Sequence, residues 1–86
     1  MMIPTIHMNG TSQEQLMDAL SEAVFSVMSA MIALRDTEPN GRDYYPQGAT
    51  AITHALAEYH ARLDRLRSVR AELIGIQEAI AERHQK

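Results

Sequence analysis

The chain has 86 residues, 45 % hydrophobic and 22 % charged, with no cysteine and a net charge of −3. That length bounds it at one domain, residues 1–86, with a helix-leaning globular composition rather than a disordered one. Without cysteine, disulfide staples, thiolate metal sites and cysteine nucleophiles are excluded, and the negative balance argues against a nucleic-acid binder driven by bulk electrostatics.

The charge is unevenly spread. Residues 1–46 hold six acids and two arginines, whereas residues 47–86 hold six bases and five acids. Such opposed halves fit packing of one against the other, or against a second copy.

Residues 1–10 read as a short extended arm. Ile3, Ile6 and Met8 are apolar, Pro4 rules out a helix interior, and Asn9-Gly10 turns the chain. The start lacks a basic segment followed by an apolar core, so it is not a secretory signal. No charge-free apolar run approaches membrane-spanning length, which makes a cytoplasmic protein with no membrane association the expectation.

The first helix is expected over about 12–36. "TSQE" (11–14) has the form of a capping box, with Thr11 accepting from the Glu14 N–H. Leu16, Leu20, Ala23, Val27, Ala30 and Leu34 recur at alternating steps of four and three, a helical seam. Met17, Val24, Phe25, Met28, Met31 and Ile32 lie on neighbouring faces. Pro39 and Asn40-Gly41 end the helix.

"PNGRDYYPQG" (39–48) reads as a connecting loop. The second helix is expected over about 49–83, with the stripe Ile52, Leu56, Tyr59, Leu63, Leu66, Val69, Leu73, Ile76 and Ile80. The stripe slips by one at Leu66–Val69, as in a stutter. Gly75, inside this helix, suggests close approach by another backbone. The fold class is therefore all-α: an antiparallel helical hairpin with an extended arm. The longer second helix is expected to overhang the start of the first by about three turns, with the arm running back to cover Ile76 and Ile80. Two helices leave Phe25, Met28 and Ile32 wet, so a homo-oligomer, dimer or higher and packed antiparallel into a helical bundle, completes the fold.

Four constellations bear on function. In the loop, Tyr44 and Tyr45 either seal the bundle end, with Arg42 and Asp43 paired in solvent, or stack a flat ligand, with Arg42 on a phosphate and Asp43 and Gln47 on ribose or base edges. At the mouth of the first helix, Gly10, Thr11 and Ser12 either cap it or seat an anion. One hairpin holds these two elements at opposite ends, so a composite site needs two protomers. Arg62, Arg65, Arg67 and Arg70 read as a solvated, ion-paired surface, with Arg70 facing an acid of the first helix. His54 with Glu58 and His60 with Asp64 have i,i+4 spacing but no third ligand, so no metal or other cofactor is expected. No nucleophile–base–orienter set is legible, and an enzyme is not expected.

"PTIHMNGTS" (4–12) together with "NGRDYYPQG" (40–48) resembles a family of small proteins encoded by tailed phages and prophages. The resemblance spans nearly the whole chain and implies expression in a bacterial host's cytoplasm. A looser likeness, in size and helical-hairpin form only, is to phage sponge proteins, oligomers that sequester the nucleotide signals of bacterial defence without cleaving them. The resulting expectation is a non-enzymatic oligomer that binds a small anionic, nucleotide-like ligand between protomers. The alternative is a phage structural or adaptor protein acting through its helices.

Overall fold

The computed structural model describes residues 1–84, with the side chain of His84 outside the description. Its order is α1 (Gln13–Leu34), a 3-10 turn (Arg35–Thr37), α2 (Gly41–Tyr44), a second 3-10 turn (Tyr45–Gln47) and α3 (Ala51–His84). No strand occurs among the described residues, so the all-α reading holds.

α1 starts one residue later than a Thr11 cap requires. Ser12 is the N-cap, in extended conformation, and its Oγ accepts the Gln15 N–H at 3.1 Å. The capping box of Thr11 with Glu14 does not form, because hydroxyl and amide meet only in this shifted register.

α1 packs along α3. The Gln77 amide donates to the Ser21 Oγ at 2.8 Å and to the Met17 carbonyl at 3.3 Å. Arg70, two turns earlier in α3, lies instead beside Met28, Met31, Ile32 and Arg35. Gln77 thus lies beside residues 17–21 of α1, and Arg70 beside residues 28–35. With a rise of about 1.5 Å per residue, the start of α1 lies level with the last turn of α3. The expected overhang is thus misplaced: the stretch of α3 beyond the reach of α1 is its beginning, and α2 with the turn after it packs on α3 instead.

The α3 seam carries no stutter. Arg70 and Gln77 are half-buried and Val69 is 43 % exposed. Ile52, Leu56, Tyr59, Leu63, Leu66, Arg70, Leu73, Gln77 and Ile80 keep alternating steps of four and three throughout. The apparent slip comes from admitting only apolar residues to the stripe. On α1, Leu16, Leu20, Ala23, Val27 and Leu34 are half-buried, but Ala30 is exposed and Met31 takes its place.

The arm lies against the last part of α3. Ile3 and Ile6 are half-buried, and Met8 is exposed. The Met1 Cε sits 3.3 Å from where a Cβ on Gly75 would lie. The neighbour of Gly75 is thus a side chain rather than a second backbone. Ile80 is the most buried side chain, 1 % exposed, followed by Tyr59 at 3 % and Ala55 at 8 %.

The molecule is a rod of 61 × 20 × 19 Å with a radius of gyration of 18.8 Å, against about 12 Å for a compact domain of this length. Gln13–Thr37 forms a 25-residue helical span with mean hydropathy 1.5 in its most apolar window, enough to cross a bilayer by length and composition alone. Glu14, Asp18, Glu22, Arg35 and Asp36 lie within it, so its charge-free stretch, residues 23–34, is shorter than a span. A core helix of a helical assembly passes the same test.

Candidate functional site

The connection between the long helices folds into two short turns rather than an open loop. Asn40 caps the first: its Oδ1 accepts the Asp43 N–H at 3.2 Å, and its Nδ2 donates to the Asp43 Oδ2 at 3.0 Å. Asp43 takes the second of these bonds through one carboxylate oxygen, and it is not ion-paired with Arg42 among the described residues. Pro46 sits inside the 3-10 turn, where its missing N–H costs nothing and its fixed φ suits the backbone. Gly48 then turns into α3 at φ 116°, a conformation side chains disfavour. These features explain how a polar, glycine-punctuated stretch holds a defined shape.

The five nominated residues here divide by exposure. Tyr44 is half-buried and Tyr45 is 76 % exposed. Arg42, Asp43 and Gln47 are exposed, and Arg42 makes no hydrogen bond or ion pair among the described residues. The two tyrosines belong to different turns and are unequally buried, so one of them already serves packing.

Gly10, Thr11 and Ser12 lie at the other end of α1, about 33 Å away along a 22-residue helix. Gly10 closes a tight turn through its N–H to the His7 carbonyl at 3.1 Å. A Cβ there would sit 2.7 Å from the His7 ring. Ser12 spends its oxygen on the cap. Within one chain the two nominated groups are therefore not brought together, in keeping with their expected positions at opposite ends.

A third location lies midway along the rod. Met28, Met31, Ile32, Arg35 and Arg70 line a cavity of about 130 Å³. Arg70 was expected to meet an acid of the first helix; it meets Arg35 and apolar side chains instead. Neither guanidinium is in an ion pair among the described residues, where the salt bridge formed is Arg67 to Asp64, exposed, at 3.0 Å. Arg35 escaped nomination, although a signal was available. Glu14, Asp18, Ser21, Phe25, Met28, Ile32 and Arg35 repeat the four–three spacing on a second face of α1.

That second face is unpartnered. Phe25 is 71 % exposed, Ile32 59 % and Met28 42 %. At 100° per residue Phe25 points roughly 150° away from the seam facing α3. No group of three or more His, Asp or Glu side chains placed to hold a metal occurs among the described residues.

Comparison of the chain with protein-family models, with curated proteins and with solved structures returns no match.

Proposed function

We propose that this chain is an antiparallel helical hairpin of phage origin that assembles with copies of itself in the bacterial cytoplasm. It acts without catalysis, as a structural or adaptor protein whose helices dock on a phage or host protein. The observation that carries this reading is the outward face of α1, with Phe25, Met28 and Ile32 exposed on a helix whose other face is packed. The surface area supports it. The chain exposes 6576 Å², whereas a compact monomer of 9.6 kDa exposes about 5,100 Å². The excess, about 1,500 Å² on one chain, is nearly twice the roughly 800 Å² that each partner contributes to a standard protein interface.

Light scattering coupled to size exclusion, run across a range of concentrations, tests the reading. An even-numbered oligomer that Phe25→Asp dissociates, with helical content kept, is the expected result. A monomer at every concentration would overturn it.

A second reading is favoured by one observation of its own: Tyr45 stands exposed one turn from the unpaired Arg42, more than a connector needs. In this reading the oligomer sequesters a small anionic, nucleotide-like ligand. The tyrosines stack, Arg42 pairs with phosphate, Asp43 and Gln47 read the ligand's edges, and Gly10, Thr11 and Ser12 of another copy complete the seat. Native mass spectrometry with a panel of cyclic nucleotides should then show a bound mass that Arg42→Ala or Tyr45→Ala removes while the oligomer persists. An oligomer empty against the whole panel would exclude it.

A further inference from the structure

The outward seam of α1 has a polarity along its length. Its first half carries Glu14 and Asp18, with Glu22 on the flank, and no basic residue precedes Arg35 in the helix. Its middle is small or apolar: Ser21, Phe25, Met28 and Ile32. Its far end carries Arg35, joined by Arg70 across the cavity, against the single carboxylate of Asp36. None of Glu14, Asp18, Glu22, Arg35 and Arg70 is in an ion pair among the described residues. Glu14, Asp18, Arg35 and three large apolar side chains thus lie along one side of α1 and its C-cap, with Glu22 on the flank and Arg70 of α3 beside Arg35, and none of these charges is ion-paired among the described residues.

One occupant satisfies them together. We propose that a second copy of the chain packs its α1 antiparallel on this face, with the two-fold axis passing near Phe25. Each protomer then delivers the carboxylates of Asp18 and Glu14 to the cavity of Arg35 and Arg70 in the other. This rests on the self-assembly proposed above and specifies its surface. Antiparallel pairing about Phe25 sets Asp18 opposite Ile32 of the second copy and Glu14 opposite the turn holding Arg35. Phe25 meets its counterpart at the axis, with Met28 of each copy one turn to either side, and because the interface is isologous one set of contacts is made twice. A parallel pairing would set acid against acid and arginine against arginine, a repulsive register. The cavity suits such an arrival. Methionine and isoleucine side chains flank two guanidinium groups, and a carboxylate is the anion their planar forks match. Arg70 then has a reason to occupy a seam position whose spacing takes apolar residues everywhere else but at Gln77.

The test is charge exchange in the full chain. One variant carries Arg35→Glu with Arg70→Glu, and a second carries Glu14→Lys with Asp18→Lys. Analytical ultracentrifugation should show each alone self-associating at least tenfold more weakly than the parent. An equimolar mixture should regain parent-like affinity as a heterodimer, because both ends of the interface are then complementary; native mass spectrometry reads that composition directly. Recovery on mixing also shows that neither variant is merely unfolded.

If both variants self-associate like the parent, or mixing restores nothing, the proposed surface is wrong even where the parent is an oligomer. A parent that is monomeric throughout overturns the self-assembly as well. A monomeric parent that floats with phosphatidylcholine vesicles and loses that on Phe25→Asp would assign the face to a bilayer and sink both.

Discussion

The two ends of α3 are buried by different means. At its end, Ile80 is covered where the start of α1 and the N-terminal arm converge, the arm bringing Met1 to Gly75. At its beginning, α1 no longer reaches; Ala55 and Tyr59 are buried there, and α2 and the 3-10 turn after it pack on the same helix. One end is closed by a chain terminus and the other by a connection. The lesson concerns the ten residues 39–48. They are longer than a link between two helices requires because they supply the packing that α1 does not, and Pro39 and Tyr44 are half-buried as a result.

The sharpest way to break this comparison is to hollow out each end. Tyr59→Ala should cost about 3–5 kcal/mol and Ile80→Ala about 2–5 kcal/mol in urea unfolding at fixed protein concentration. The two sites lie about 30 Å apart along the helix. The double variant should therefore be additive within about 0.5 kcal/mol, and marked coupling would mean that the two covers are not independent.

Gly48→Ala comes next. It forces a side chain into the positive-φ turn that aims the connection at α3, and about 1–2 kcal/mol of destabilisation is expected. Gly41→Ala, where a Cβ meets nothing and φ is not positive, serves as the control and should change stability far less. At the arm's end, Ser12→Ala should cost about 1 kcal/mol and Thr11→Ala much less, since Ser12 alone caps α1. The reverse order would restore the Thr11 capping box.

The smallest effect has the opposite sign. Gly75→Ala gains helix propensity of up to about 1 kcal/mol. The flexible end of Met1, 3.3 Å from the new methyl, has to yield a few tenths of an ångström. A loss of stability there would show the arm to be held more rigidly than its exposed methionine implies.

Much of this arrangement is legible in the sequence. The four–three spacing marks both long helices, and Asn40-Gly41 marks the break between them. The apolar residues at positions 3 and 6 mark an arm that needs something to cover. What periodicity cannot convey is which of several apolar faces is buried. Ala30 reads as a seam residue and Met31 as a neighbour, and the structure exchanges them. Nor does a rule that admits only apolar residues find Arg70 and Gln77, so an unbroken seam looks like a stutter. The turns of 41–47 are too short to show any period and rest on one side-chain cap each way between Asn40 and Asp43. For the candidate site, the exposed Tyr45 and Arg42 were visible as residue types. Arg35 is legible as the end of a second four–three face, but its place beside Arg70 depends on the other helix and is not.

Gln77 carries one more consequence. Two heptad-spaced stripes can slide past each other by seven residues, about 10 Å, and still lay apolar on apolar. Nothing in their hydrophobicity prefers one setting. Among the described residues, the side-chain hydrogen bonds between α1 and α3 are those of this single amide, to Ser21 and to the Met17 carbonyl. A slide of one heptad would bring Arg70 to that place, a long cation where a compact amide fits. One glutamine thereby chooses among overlaps that greasy surfaces leave degenerate, and in choosing it sets how long the rod is.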